Sequence, residues 1–252
     1  MKKVLIVGES WTVQETHIKG FDTVDLGRLE QTSAGNLIEA LEKSGIEVEY
    51  MPSHIAQYSF PDTVEALNAY AAIALSDIGS NTIMMDPVMQ FKSTRKPNRF
   101  HALVEYVKQG GGLVMFGGYL SYAGIDNKAR YAMTPLAKIL PVQILNYDDR
   151  MEHPEGICPE TLKKDHPVLN GIGEEPWPWF LGYNKIKAKP EAEEIAIIDG
   201  EDTFMAAMEY GEGRTFAFAS DCAMHWGSEA FLAWDGYQKL MPNIFRWLAK
   251  EI

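Results

Sequence analysis

At 252 residues, 46% of them hydrophobic and 23% charged, the chain is long and apolar enough to bury a large core, and its balance gives no reason to expect long disorder. Its 35 acidic and 23 basic residues leave a formal charge of −12, which repels phosphate backbones and anionic lipid and argues against nucleic acid or a membrane as partner. It has two cysteines, Cys158 and Cys222, an apolar N-terminal run shorter than a signal peptide needs, and no apolar segment near the ~20 residues of a membrane span, so a cytoplasmic protein is expected.

Val4 to Val7 is an unbroken β-branched and leucine run, the mark of a parallel strand buried on both faces, and Gly8-Glu9-Ser10 ends it in a polar loop. Ser33 is placed to cap a helix carrying Leu37, Ile38 and Leu41, with Gly45 as its stop. Ile46 to Tyr50 reads as the second strand, Ser59-Phe60-Pro61-Asp62 as a helix start, and Ala71 to Leu75 as the third strand, ending in Ser76 to Asn81. Phe100 to Gln109 is predicted helical and is closed by three glycines. The fourth strand, Leu113 to Phe116, then runs into the turn Gly117-Gly118-Tyr119, and in α/β enzymes such a turn can lift a nucleophile above the sheet.

Beyond it, Tyr131 to Leu140 reads as a helix and Asp165 to Tyr183 as a loop rich in proline and tryptophan. Ile195 to Ile198, Phe204 to Glu209 and Thr215 to Ala219 read as strands of an antiparallel extension or of the sheet's edge, and Phe231 to Lys250 as a closing amphipathic helix. Four strands alternating with helices predict an α/β protein, a flavodoxin-like three-layer sandwich with a mostly parallel sheet, in one domain over residues 1–252.

In such a sheet ligands meet the residues that follow the strands. These are Glu9, Ser10 and Trp11, then Asp77 and Asn81, then Gly117 to Ser121, then Asp221 to Trp226. His225 suits a general base, oriented by Glu9 or Asp221; the competing reading is a loop histidine bonded to backbone. Cys222 is a nucleophile beside His225 or a small core residue. Asp221 alternatively caps a helix or ligates a metal, and Glu9 is solvated, held by turn amides, or kept near a reacting group with a raised pKa. Asp77, Gly79 and Asn81 offer a backbone nest or a plain turn, and His17, Lys19 and Asp22 lie in a polar loop. Trp177, Trp179, Phe180 and Tyr183 are a lid or a satellite core. No dinucleotide fingerprint or P-loop occurs, and Cys222-x-x-His225 is a weak metal pattern, so no cofactor or metal is expected.

The segments Gly8 to Trp11, His17 to Asp22, Ser76 to Asn81, Gly110 to Ser121, His166 to Gly171 and Ser220 to Gly227 together resemble the bacterial glutamine amidotransferase-like family. That family lies within the class I glutamine amidotransferase-like fold, near the ThuA-like trehalose-utilisation proteins, and the resemblance implies this fold over nearly the whole chain. It also marks departures. Class I amidotransferases carry a cysteine at the elbow and a later His-x-Glu pair; here Gly117, Gly118 or Tyr119 stands at the elbow, and Gly227 stands two residues beyond His225. A thioester glutaminase needs an elbow thiolate, so that activity is not expected. Glu9 resembles the glutamate that PfpI-like proteins place under their elbow.

The leading expectation is a pocket lined by Glu9, Trp11, Asp77, Asn81, Tyr119, Asp221, His225 and Trp226, beside Gly118, that binds a small polar metabolite. It would act by acid/base hydrolysis without a covalent cysteine. The alternatives are a non-catalytic binding or assembly module and a cysteine hydrolase using Cys222 and His225. A homo-oligomer is expected from the habits of the fold.

Overall fold

The structure is a computed structural model describing residues 2–173 and 176–252. Among these residues the main sheet has eight strands. In spatial order they are Val48–Met51, Val4–Gly8, Ala72–Ser76, Gly112–Phe116, Gly213–Phe218, Asp202–Tyr210, Glu193–Ile198 and Glu160–Thr161. The first five pair in parallel and the rest antiparallel. The chain is thus an α/β protein with a large, mixed sheet. Val4–Gly8, Ala72–Ser76 and Gly112–Phe116 are buried at every position, which is why their sequences are unbroken apolar runs without alternation.

From Val4–Gly8 the sheet grows first to one side, to Val48–Met51, and then to the other, to Ala72–Ser76. Right-handed crossovers therefore put the helix Gly35–Lys43 and the later helices Ser80–Met84 and Arg99–Lys108 on opposite faces. The C-terminal helix, Tyr237–Leu248, packs against Gly35–Lys43. The reversal also opens a crevice between the carboxyl ends of Val4–Gly8 and Ala72–Ser76. Glu9 follows one of these strands and Asp77 the other.

Several elements depart from expectation. The segment after Gly8 is not a loop but a long two-stranded ribbon, Ser10–Lys19 paired antiparallel with Asp22–Thr32. Nearly every residue of it faces solvent on both sides, so it lacks the alternation that would betray a strand. The signal was the tight loop Gly20-Phe21, where Gly20 takes φ +66°, as a two-residue hairpin with glycine first requires. Ser33 does not cap Gly35–Lys43; Ala34 holds the cap position without a side-chain bond. The expected helix at Tyr131 to Leu140 is two short pieces, Tyr131–Met133 and Leu136–Ile139.

A strand absent from the sequence reading, Arg150–Ile157, pairs with Phe180–Asn184 in a small second sheet over the site. The expected C-terminal helix is split into Glu229–Leu232 and Tyr237–Leu248. At the break, a Cβ on Gly236 would lie 2.2 Å from the Trp234 ring. Of the aromatic cluster, Trp177, Phe180 and Tyr183 are buried as part of the main core rather than a satellite of it, Trp177 packs 5.2 Å from Trp234, and Trp179 is exposed.

Candidate functional site

Three strands deliver three side chains to one place. Glu9, Asp77 and His225 each follow a strand of the main sheet, and together with Trp11, Tyr119, Asp221 and Met224 they line a cavity of about 220 Å³. All three hold left-handed backbone, with φ of +47°, +41° and +144°. Such conformations cost a non-glycine residue on the order of 1–3 kcal/mol and persist only where the surroundings impose them. Of the positive-φ non-glycine residues described, these three converge on one cavity.

Glu9 lies at the cavity floor, 3% exposed. The Ser33 hydroxyl donates to its Oε1 at 2.8 Å and the Ser76 hydroxyl makes a short contact to its Oε2. Burial, reinforced by the charges of Asp221 and Asp77, pushes the Glu9 carboxyl up to about 8, so it carries a proton at neutral pH. Burial and Asp221 likewise raise Asp77 to about 6, although the Leu120 amide donates to its Oδ1 at 2.6 Å. Asp221 is buried, and burial raises its pKa. Its Oδ2 receives His225 Nδ1 at 2.8 Å and the Trp226 amide at 3.0 Å. The bond from Asp221 raises the His225 pKa and fixes the ring, whose side chain is 46% exposed at the cavity mouth. Of the two orienting partners expected for His225, Asp221 is the one in contact. No hydrogen bond joins Glu9 and His225 among the described contacts; they meet through the shared cavity.

The elbow itself is clamped. Gly118 takes φ +136°, and a Cβ there would lie 2.8 Å from Asp221 Oδ1 and 3.0 Å from the Asp77 side chain. The two aspartates thus fill the space that a side chain on the elbow would occupy. Asn184, fully buried at the end of Phe180–Asn184, accepts from the Gly118 amide at 2.9 Å and donates to the Gly118 carbonyl at 3.2 Å and to Asp149 at 2.8 Å. Above the turn, the Tyr119 ring meets His225 edge-on at 4.4 Å. The Tyr119 hydroxyl and the Trp226 indole both donate to Glu152, each at 3.0 Å.

Four expected site residues, Gly118 at the clamped turn, Asn81, Trp226 and Cys222, are not part of the cavity lining. Asn81 is exposed within Ser80–Met84, and amides of the expected nest are already taken, Asp77 N by Ser121 Oγ at 3.2 Å and Ser80 N by the Ala129 carbonyl at 3.0 Å. Trp226 is buried and supports Tyr119 from behind. Cys222 is fully buried, with its thiol 3.4 Å from Ser76 Oγ and 4.0 Å from Glu9 Oε2, and burial together with Glu9 pushes its pKa well up. A protonated thiol beneath the floor is not a nucleophile at the mouth. His17, Lys19 and Asp22 lie at the far end of the ribbon, away from the cavity.

Ser33, Ser76, Glu152, Asn184 and Met224 belong to the site or its support and were not assigned a site role from the sequence. Ser33 and Ser76 sit at element ends, where a polar residue also fits an ordinary cap or turn. Glu152 and Asn184 arrive on the small sheet, whose pairing no local pattern discloses. Among the described residues no group of three or more His, Cys, Asp or Glu side chains could hold a metal ion, and no helix is long and apolar enough to cross a membrane.

Comparison with known proteins bears on this geometry. Two solved proteins align over 98% of this chain. Cytoplasmic protein STM3548 from Salmonella typhimurium is 43% identical, with 98% of its own chain covered and a TM-score of 0.92. Cytoplasmic protein STM1381 from Salmonella typhimurium LT2 is 40% identical, with 99% covered and a TM-score of 0.91. A ThuA-like protein from Bacteroides uniformis shares the fold at 13% identity, with 98% of this chain and 91% of that one aligned and a TM-score of 0.57. No functionally curated protein matches the chain. The profile of the family described as "Putative glutamine amidotransferase" matches residues 3–250, and the chain belongs to that glutamine amidotransferase-like family.

Proposed function

We propose that the cavity binds a small polar metabolite and hydrolyses it by acid/base chemistry, without glutaminase activity and without a covalent cysteine. The observation that carries this reading is the convergence of Glu9, Asp77 and His225, each in strained backbone, on one cavity. His225, with Nδ1 held by Asp221, presents Nε2 as the base that takes a proton from water. Glu9, whose carboxyl is held protonated by burial, keeps the floor uncharged at neutral pH. Asp77 and Asp221 disfavour an anionic group in the same space, so the ligand is neutral or cationic where it touches them. With glycine at the elbow and its slot filled by aspartates, a thioester route has no atom to start from.

We read the scaffold as a single-domain, flavodoxin-like three-layer sandwich and place the protein in the cytoplasm, like the two Salmonella proteins. A non-catalytic binding or assembly module on the same scaffold is the second reading, favoured by the solvent-exposed ribbon.

A thermal-shift screen of small polar metabolites tests ligand binding at the cavity, because a ligand of the native state raises its melting temperature. Hits are expected to stabilise the wild type and to lose most of that effect in Trp11→Ala, whose side chain forms a cavity wall and is itself 44% exposed. Absence of any hit, or equal stabilisation of the variant, would count against the cavity as the binding site.

A further inference from the structure

The ribbon is the part of the molecule that its own fold leaves unexplained. Its strands, of 10 and 11 residues, are solvent-exposed along almost their whole length, and they carry Ile18 at 75% exposure, Val24 at 43% and Leu26 at 54%, with Phe21 fully exposed at the tip. An isolated two-stranded hairpin is marginal in water at best, and three or more strands are needed for independent stability. The Salmonella proteins leave only 2% of this chain unaligned, far less than a 23-residue segment from Ser10 to Thr32, so the ribbon belongs to the shared fold.

The two edges of the ribbon are not equivalent. Gln14 pairs with Arg28 and Thr16 with Asp25, so one residue of the first strand faces two of the second, Leu26 and Gly27. The bulge therefore interrupts the edge of Asp22–Thr32, with Gly27 at φ +88°, and leaves the edge of Ser10–Lys19 regular. A regular edge of unpaired amides and carbonyls is a template for another strand.

We propose that this edge pairs antiparallel with the same edge of a second copy of the chain, with His17 on the two-fold axis. The sequence is self-complementary in that register. Glu15 faces Lys19 of the partner subunit, and by symmetry the pair occurs twice; Thr16 faces Ile18 of the partner subunit. Two ribbons then form one four-stranded sheet, which meets the stability requirement that each ribbon alone does not. Because the strand ends at Lys19, residues 15 to 19 of each copy share the edge, about 17 Å of it at roughly 3.3 Å per residue.

Sedimentation analysis of the full chain at micromolar concentration tests the arm. The expected mass is twice the 28.3 kDa of the chain, or an even multiple of it. Lys19→Glu sets like charges opposite each other at both pairs and is expected to weaken association at least ~10-fold, and the double variant Glu15→Lys with Lys19→Glu is expected to restore it. Both positions are exposed, so neither change threatens the fold. A monomeric wild type, which would assign the ribbon another occupant, overturns the proposal. So does an oligomer indifferent to Lys19→Glu, or a double variant that stays dissociated.

Discussion

Burial of Glu9 between two serine hydroxyls and beside two aspartates makes its proton part of the folded state. The unfolded chain loses that proton near the ordinary 4.5, the folded protein only near 8. Between those values the native state binds more protons, so this contribution to stability is complete at acid pH and is lost as pH rises towards about 8. Glu9→Gln keeps a neutral, isosteric group. Denaturant unfolding from pH 5 to 8.5 should show wild-type stability falling by an amount on the order of a few kcal/mol that the variant largely retains. Parallel curves would mean that Glu9 is ionised in the native protein. Gly118 provides a steric counterpart. Gly118→Ala would place a methyl against Asp221 and Asp77 at φ +136°, and a loss of at least ~2 kcal/mol is expected in the same measurement. A neutral substitution would show that the elbow can open.

At the scale of elements, the strands of the parallel sheet were legible because burial on both faces writes itself as an apolar run, as in Val4 to Val7. The residues after those strands were legible for the same reason, which is how Glu9, Asp77, Asp221 and His225 were found. What could not be read was pairing between distant, short or wholly exposed strands. The ribbon has no buried face to pattern it, and Arg150–Ile157 finds Phe180–Asn184 across more than twenty residues. That small sheet has a measurable task, since its Asn184 clamps the elbow. Asn184→Ala would leave the Gly118 amide and carbonyl and Asp149 short of a buried partner. A loss of about 3 kcal/mol or more is expected by denaturant unfolding, against ~1 kcal/mol or less if the elbow holds without the clamp.

At the scale of the whole molecule, the change of direction in strand order decides where the candidate site sits. Glu9 and Asp77 flank the switch point, the elbow closes one side, and Asp221 with His225 comes from the strand beyond it. In this member of the glutamine amidotransferase-like family Gly118 stands at the turn, with the carboxyls of Asp77 and Asp221 against it and His225 beside them. Turnover separates a hydrolase from a binding module on that scaffold. The decisive experiment incubates the metabolites that stabilise the wild type with wild-type protein and with His225→Asn, and follows substrate and product by mass spectrometry. Consumption by the wild type to products that have gained the elements of water, with the same metabolite bound but spared by His225→Asn, is the expected result. Recovery of the bound metabolite intact from the wild type, or equal consumption by the variant, would contradict an acid/base site built on His225.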